Sequence, residues 1–396
     1  MRTVFIISLM ASLLAACDSK NNLQRISSSG KAAESVYLTH DQHNNPVVVW
    51  TEREDKDLSL WFAVSQDDGK SFTEKVPVPI NGHVATHPEG MPKVAFKKDG
   101  TILAAYESKT PTQENKYAGA IYYVLSRDGG KSWTPPRFVH SDTTAGRSRS
   151  YFDIETLPDG EIGAAWLDVT IDDKTGGRSV KFAKTNADGF AHETLVDSSA
   201  CQCCRVDVYS DITGKINVAY RGLAKGLMGQ DVRDMMIATS ADNGERFTRP
   251  LPISNDKWAI NGCPHTGPSL CCTKDGLFSV WYTEGNGTGI YYSFRQDNES
   301  DFGDRQLISN FGHHPQISAG GVRFVMVWEE NSAKGENTLT NVRYELSDGS
   351  NVRKGLLTPS DQNAFVPVVT QAGNGFVVAF LMETNNGVGV YTTRLY

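Results

Sequence analysis

The sequence predicts an all-β protein folded as a single β-propeller, on three observations. A unit of two apolar strands, joined by a turn and ending in an aromatic residue, occurs seven times. The aromatic residues that end successive units lie 47 to 61 residues apart, which suits the four-stranded blades of a propeller. No stretch shows sustained helical periodicity. We therefore expect seven four-stranded blades, with a six-bladed propeller as the alternative.

Each unit runs from an innermost strand, through a turn that carries Gly or Asn, into a second hydrophobic strand. The units begin at Val36, Lys93, Tyr151, Arg205, Ser269, Gln316 and Pro367. The aromatic residues that end them are Trp50, Tyr106, Trp166, Tyr220, Trp281, Trp328 and Phe380. Because Trp recurs at one place in the repeat, we expect these indoles to pack between blades. A third strand follows each unit, and usually a fourth.

The seventh unit lacks a fourth strand, because the sequence stops at Tyr396 after its third strand. Near the other end, the segment Leu23 to Ser27 alternates like a short strand. It can supply the missing strand. The two ends of the propeller would then meet in one blade and close the ring, which leaves only short edges exposed.

The first residues have the pattern of an export signal. Arg2 is followed by the apolar run Val4 to Leu14 and by Leu-Ala-Ala-Cys, which ends at Cys17. This tetrad resembles the lipobox of bacterial lipoproteins, which implies that Cys17 carries acyl chains such as palmitate and holds the protein to a membrane. We expect residues 1–16 to be a signal peptide, 17–33 a lipidated N-terminus with tether and closing strand, and 34–396 the propeller.

The resemblance places the protein in the bacterial cell envelope, facing the periplasm or the exterior. Asp18 resembles a signal for retention in the inner membrane. The net charge of −7 comes from 46 acidic and 39 basic residues without a basic block, which argues against nucleic acid as a partner. No pattern indicates a nucleotide or organic cofactor. Of seven cysteines, the six other than Cys17 would meet an oxidising compartment, where disulfides are the default.

Three octads between third and fourth strands fit the pattern Ser-x-Asp-x-Gly-x-x-aromatic. Their acidic residues are Asp67, Asp128 and Asp242. In such a hairpin the Asp caps the turn and the Gly takes a positive φ. The octads resemble the Asp-box, or BNR repeat, of the sialidase-like propeller superfamily, and the likeness covers residues 34–396. The resemblance implies a structural role for these Asp residues, on the face away from any active site.

Segments that enter the innermost strands of a propeller meet at one end of its channel, and in three consecutive units they carry sulfur or imidazole donors. These donors are Cys201, Cys203, Cys204, Cys263, His265, His313 and His314. Thiolates and imidazoles suit Cu(I) or Zn(II). We therefore predict a membrane-anchored propeller that binds or handles a thiophilic metal, copper before zinc, with a metal-donor or metal-acceptor protein as a partner. Together the Cys-rich motifs resemble those of a subgroup of bacterial propeller lipoproteins.

Two alternatives remain open. The cysteines could instead form disulfides that staple a binding scaffold, and six cysteines allow 15 pairings. The protein could also be a divergent sialidase-like exo-glycosidase, so its status as an enzyme is undecided. The weak catalytic candidates near the channel mouth are Arg147, Arg149, Arg205, Asp153 and Glu155. The aromatic-Arg-Ile-Pro signature of bacterial sialidases is absent from the sequence.

Overall fold

The computed structural model describes residues 23–297, 299–334 and 337–396. Over these residues it confirms an all-β protein in which seven sheets form the blades of a propeller, and the six-bladed alternative is excluded. The predicted signal peptide and the lipidation site Cys17 lie outside the described residues. In the part of the chain that the structure describes, no helix is long and apolar enough to cross a membrane.

The strands are numbered in chain order, and β1 (Gln24–Arg25) belongs to the last blade. Blade 1 contains β2 (Ala32–His40), β3 (Pro46–Glu54), β4 (Asp57–Val64) and β5 (Val76–Val78). Blade 2 contains β6 (His83–Val84), β7 (Lys93–Phe96), β8 (Ile102–Lys109), β9 (Gly119–Ser126) and β10 (Arg137–Phe138). Blade 3 contains β11 (Ser150–Thr156), β12 (Ile162–Leu167), β13 (Arg178–Asn186) and β14 (Gly189–Ala200).

Blade 4 contains β15 (Asp207–Ser210), β16 (Ile216–Arg221), β19 (Met235–Ser240) and β20 (Leu251–Pro252), and the hairpin of β17 (Ala224–Lys225) and β18 (Asp231–Val232) is inserted within it. Blade 5 contains β21 (Ser269–Thr273), β22 (Gly276–Thr283), β23 (Gly289–Gln296) and β24 (Gln306–Ser309). Blade 6 contains β25 (Gly312–Gly320), β26 (Arg323–Lys334), β27 (Asn337–Ser347) and β28 (Val352–Leu356). Blade 7 contains β29 (Ala364–Ala372), β30 (Gly375–Thr384), β31 (Gly387–Leu395) and β1.

The ring is closed both by its innermost strands and by the closing strand. The innermost strands β2, β7, β11, β15, β21, β25 and β29 each contact the next, and β29 contacts β2. Strand β1 pairs antiparallel with β31, with Gln24 opposite Thr392 and Arg25 opposite Tyr391. The predicted closing strand is therefore confirmed, and blade 7 combines both ends of the propeller.

The recurring tryptophans lie between blades, where their indoles are almost fully buried. Each indole N–H has a carboxylate acceptor, as a buried polar group requires. Trp50 donates to Glu52 at 2.9 Å, Trp166 to Asp168 at 2.8 Å and Trp281 to Asp256 at 2.8 Å. These hydrogen bonds fix the orientation of the indole ring in each interblade core. The repeat therefore provides a carboxylate acceptor as well as apolar packing.

The three octad turns fold alike. Asp67, Asp128 and Asp242 each accept a hydrogen bond from the backbone N–H four residues on, at 2.8–2.9 Å. Hydrogen bonds from the side chain and the backbone of that same residue lower the pKa of all three carboxyls to about 2. The octads follow third strands, which run in the same direction as the innermost strands. They therefore lie at the opposite end of the channel from the Cys-containing segments.

One buried ion pair crosses the channel at the end where the innermost strands begin. Glu89, just before β7, is 2% exposed, and Arg205, just before β15, is 4% exposed. Arg205 Nη1 donates to Glu89 Oε1 at 2.6 Å, and Glu89 Oε2 accepts from the backbone N–H groups of Arg205 and Gly267, both at 2.8 Å. Arg205 Nη2 donates to the Pro268 carbonyl at 3.3 Å. The pair thus joins the segments that enter blades 2, 4 and 5.

We predict that Arg205→Met destabilises the fold, because it leaves the Glu89 carboxylate buried without a counter-ion. The free energy of unfolding, measured by urea denaturation, should fall by about 3–5 kcal/mol. The double variant Glu89→Gln/Arg205→Met should recover part of this loss. As a control, Arg246→Met removes an exposed partner of Asp242 and should leave the unfolding midpoint unchanged. Equal midpoints for Arg205→Met and the wild type would contradict the prediction.

Candidate functional site

Three cysteine thiols meet in the connection between blades 3 and 4. The segment leaves β14 at Ala200, and the N–H of Cys201 donates to the carbonyl of Arg221 at 2.8 Å. The Sγ of Cys201 lies 3.8 Å from the Sγ of Cys203 and 3.8 Å from that of Cys204. All three side chains are buried. The tight turn therefore gathers three sulfurs that are close in sequence into one group.

A second group brings in the segment that enters blade 5. One ligand atom each from Cys203, Cys263 and His265 lie within 4.8 Å of one another, as do the sulfurs of Cys201, Cys203 and Cys204. Cys203 belongs to both groups. Cys263 and His265 are exposed, whereas the other three are buried. We call these five residues the Cys/His cluster; it has a buried half and an open half.

The open half is held close to the ion pair of Glu89 and Arg205. Gly267 donates to Glu89, and a Cβ at position 267 would lie only 2.4 Å from the carbonyl oxygen of Arg205. Only glycine allows this approach. His265, two residues earlier, has a left-handed backbone with φ of 49°. The Gly267-Pro268 end of the segment thus docks against the blade 4 entry and carries His265 to the cluster.

The surroundings of the three buried thiols favour ionisation of Cys201 over that of its two neighbours. Hydrogen bonds from the Cys203 and Cys204 thiols lower the pKa of Cys201, and the nearby guanidinium of Arg233 favours the same thiolate. The hydrogen bond with Cys201 raises the pKa of Cys203, and burial raises that of Cys204. Arg233 Nη1 donates to Cys201 Sγ at 3.0 Å. The arrangement favours a thiolate at Cys201, beside two thiols and one arginine.

The two histidines of the blade 6 entry lie outside both groups. His314 Nδ1 is 2.7 Å from Glu329 Oε1, and the His313 ring lies 4.7 Å from the Tyr282 ring, tilted by 36°. Burial opposes the charged form of His314, but the hydrogen bond and the charge of Glu329 raise its pKa. The structure therefore places His314 against Glu329 and His313 against an aromatic ring rather than beside the thiols.

A tyrosine, a glutamic acid and a histidine adjoin the cluster. The Tyr151 ring packs against the three buried cysteines and lies 5.6 Å from the His87 ring. Its backbone is left-handed, with φ of 57°, at a bulge between Ser150 and Asp153. The Tyr151 N–H donates to Glu107 Oε2 at 3.2 Å. Burial lowers the pKa of His87 and raises that of Tyr151, so both are favoured in their neutral forms.

Arg178 holds the cysteine turn in place. Its Nη1 donates to Ser150 Oγ at 2.7 Å and to the Gln202 carbonyl at 3.3 Å, and its Nη2 donates to the Ser148 carbonyl at 2.7 Å. Its Nε donates to the Asp168 carbonyl at 2.9 Å. Because these donors are used within the protein, Arg178 positions the turn and is not free to clamp a substrate.

Most of the weak catalytic candidates are engaged in ion pairs within the fold. Arg205 pairs with Glu89, as described above. Arg149 contacts Asp142 at 2.5 Å, and Lys93 Nζ lies 2.7 Å from Asp153 Oδ1. Burial, with the charges of Asp153 and Asp207, raises the pKa of Glu155 deep in the channel. Arg147 is exposed. The structure therefore does not arrange Arg147, Arg149 and Arg205 as a clamp for a substrate carboxylate.

Sequence reasoning missed Arg233, Glu107 and Arg178. The sequence prediction rests on the entries to innermost strands, whereas these residues lie at the same end of the channel on or just before second or third strands. Arg233 stands between Asp231 and Asp234 just before β19, and Arg178 begins β13. A charged residue at the end of an otherwise apolar strand is the sequence pattern that could have identified these three residues.

We predict that Glu107→Gln changes how stability depends on pH. Burial raises the pKa of Glu107 to about 7, above the range of an unfolded Glu, so its ionisation disfavours the folded state. The protonated Glu107 carboxyl therefore makes its full contribution to the free energy of unfolding below about pH 4.5. This contribution, about 2–3 kcal/mol, is lost as pH rises through about 7. Urea unfolding of metal-free protein at about pH 5 and about pH 8 should show this loss in the wild type and less of it in the variant. Equal pH dependence in both proteins would contradict the assignment.

Comparison with known proteins shows a shared fold. No protein-family model matches the chain, and no curated protein matches its sequence. A PL25 ulvan lyase matches with a TM-score of 0.58 at 10% identity, over 93% of this chain and 96% of that one. The polysaccharide lyase Uly1 matches with 0.54 at 10% identity, over 92% and 90%. A variant of the NanB sialidase from Streptococcus pneumoniae matches with 0.49 at 10% identity, over 95% and 70%. This chain therefore shares a propeller fold with the two polysaccharide lyases.

Proposed function

We propose that the protein binds a thiophilic metal ion, copper before zinc, at the Cys/His cluster. The observation that carries the proposal is that Cys203 belongs to two groups of donor atoms, each within 4.8 Å, whose members come from two different blade entries. Segments about sixty residues apart in sequence supply four sulfurs and one imidazole to one place. Soft sulfur donors with an imidazole are the set that Cu(I) and Zn(II) prefer.

The spacing and the charge of the cluster support this proposal. Two thiolates held about 2.3 Å from one ion at a tetrahedral angle lie about 3.8 Å apart. The sulfur of Cys201 lies 3.8 Å from each of its two neighbours. Arg233 would offset part of the negative charge of the bound thiolates, as outer-shell partners do in metal sites.

The division of the cluster favours exchange of the metal. Cys201, Cys203 and Cys204 are buried, whereas Cys263 and His265 are open to solvent. A metal-donor or metal-acceptor protein would approach Cys263 and His265 first, while the buried sulfurs retain the ion. We further propose that Cys17 anchors the protein to a membrane of the bacterial envelope.

We predict that the protein, expressed in copper- or zinc-supplemented medium and purified without chelators, holds one metal ion per chain. Cys203→Ser removes the shared ligand and should weaken binding by more than the ~10–100-fold that loss of an outer-shell partner costs. Arg233→Met should fall within that smaller range. Because thiols lose their protons when they bind a metal, binding should release protons, measured by calorimetry in buffers of different ionisation enthalpy.

Cys271→Ser is the matched control, since Cys271 is buried in the core between blades 5 and 6 and lies outside the cluster. It should bind metal as the wild type does. Thiol titration of the unfolded protein, with and without reductant, tests the disulfide-stapled scaffold. Six blocked thiols in a protein without metal would overturn the metal proposal in favour of that scaffold.

A second candidate function is cleavage of an acidic polysaccharide. The observation that favours it is the pair of Tyr151 and His87 at the channel mouth, in a fold shared with an ulvan lyase. A neutral imidazole can accept a proton, and a phenol can donate one to a leaving oxygen. This candidate uses neither the arginines already paired nor the thiols.

We predict that, if this second function holds, the protein releases unsaturated or reducing sugar from ulvan or from a fluorogenic sialoside. Tyr151→Phe should reduce the rate by about 10²–10⁴-fold, the range for loss of one general acid or base. Tyr117→Phe, an exposed tyrosine on a neighbouring loop, is the matched control and should keep full activity. Absence of product with both substrates, or full activity in Tyr151→Phe, would contradict this function.

A further inference from the structure

Six of the seven grooves between blades are closed, at the end of the channel opposite the Cys/His cluster, by side chains from the next blade. In five of them it is an aromatic residue on, or just after, the turn between third and fourth strands. These plugs are Phe72, Trp133, Phe190, Phe247 and Phe302, each packed on the core shared with the preceding blade. Between blades 6 and 7, Leu395 and Leu23 pack against the core instead.

The glycines of the three octads show how tightly these grooves close. A Cβ at Gly69 would lie 2.0 Å from Val377 of blade 7, one at Gly130 would lie 2.4 Å from Val76 of blade 1, and one at Gly244 would lie 2.3 Å from Phe182 of blade 3. Each octad therefore makes direct contact with the blade before it. The Phe247 ring then sits 5.3 Å from the Phe182 ring, edge to face.

The groove between blades 5 and 6 has no such plug among the described residues. The turn between β27 and β28 spans only residues 348–351, Asp-Gly-Ser-Asn, and carries no aromatic side chain. A Cβ at Gly349 would touch only Val322 of its own blade, at 3.9 Å. This shortened turn does not contact blade 5, whereas each of the three octads contacts the blade before it.

A cavity of about 520 Å³ occupies the place of the missing plug, within the range of about 300–1,000 Å³ found for ligand sites. Its apolar lining includes Phe278, Tyr292, Phe294 and Phe324. The Phe278 ring lies 4.5 Å from the Phe294 ring and 4.6 Å from the Phe324 ring. Four aromatic residues from two blades thus form one surface, which we call the aromatic cleft.

The strand register shows that the aromatic cleft corresponds to the plugged grooves. Tyr292 pairs with Val280, the residue before Trp281. Phe182 pairs with Ala165, the residue before Trp166, and receives the octad of blade 4. Tyr292 therefore occupies the position whose counterpart in blade 3 is covered by Phe247. The cleft has the shape and chemistry of a groove that elsewhere accepts an aromatic side chain.

The rim of the cleft is acidic. Asp275 and Asp304 line it, and both side chains are exposed. Asp275 is 3.6 Å from the exposed Lys274, and Asp304 has no ion-pair partner among the described residues. A ligand that enters the cleft would therefore gain from positive charge beside its aromatic group.

We propose that the aromatic cleft binds an aromatic side chain of a partner polypeptide, flanked by lysine or arginine. The partner would supply the plug that blade 6 lacks. This site is separate from the proposed metal function, because it lies at the other end of the channel and uses blades 5 and 6 only.

The test uses the whole protein and the probe peptide acetyl-Lys-Trp-Lys-amide, with binding followed by the tryptophan fluorescence and NMR signals of the peptide. Acetyl-Lys-Ala-Lys-amide should not bind detectably, and acetyl-Glu-Trp-Glu-amide should bind more weakly than the lysine peptide. Phe294→Ala should weaken binding of the probe by about 2- to 12-fold, the loss expected for an aromatic contact. Asp304→Asn should weaken it by about two- to fivefold, and less so at high salt.

Phe311→Ala is the control, because Phe311 is 70% exposed and lies at the other end of the channel; it should bind the probe like the wild type. Unchanged melting temperatures exclude unfolding as a cause. The proposal is overturned if the alanine peptide binds equally, or if Phe294→Ala and Asp304→Asn bind like the wild type. It is also overturned if a neutral methyl pyranoside displaces the peptide and binds more tightly, or if the cleft is covered by self-association that Phe294→Ala abolishes.

Discussion

The buried ion pair of Glu89 and Arg205 is the interaction on which the channel mouth depends. Moving two charges out of water is unfavourable, and the pair persists because its two ions also bond to backbone groups of neighbouring blades. Glu89 accepts from the N–H of Gly267, and Arg205 donates to the carbonyl of Pro268. The loop that carries Cys263 and His265 is therefore bound to the same pair that begins blade 4. The sulfur and imidazole donors come together because this ion pair joins the segments that enter blades 2, 4 and 5. The pairing of strands within each blade would not by itself bring these segments together.

Most of the fold could be predicted from the sequence because its information is local and repeated. Seven aromatic residues mark the second strands, and the register of each blade follows from the alternation of apolar residues around them. The closing strand at Gln24 and Arg25 could also be predicted, since the seventh unit visibly lacked a fourth strand. The inserted hairpin of β17 and β18 was not foreseen, because two-residue strands leave no periodic pattern.

The candidate site could be predicted only in part. Proximity of the blade 4 and blade 5 entries follows from their order around the ring, which is why the sequence predicts that Cys203 and His265 lie close together. The direction of a side chain at a blade entry depends on bulges that the repeat does not encode. His314 has a left-handed backbone at such a bulge and turns toward Glu329, away from the thiols. Arg233, which donates to the Cys201 sulfur, lies just before the third strand of blade 4. No sequence pattern marks a charged residue that will lie beside a thiol.

Blade 7 has a consequence for how the molecule is made. The side chains of Arg25 and Tyr391 are in contact although 366 residues separate them. Strand β1 emerges first during synthesis but has no neighbour until β31 follows at the far end of the propeller. Closure of the ring is therefore deferred until β31 has been made, and contacts of such long sequence separation form slowly. Until β1 and β31 pair, blade 7 has an exposed strand edge that can pair with other chains. Misassembly of the propeller is therefore expected first at blade 7, where its two ends meet.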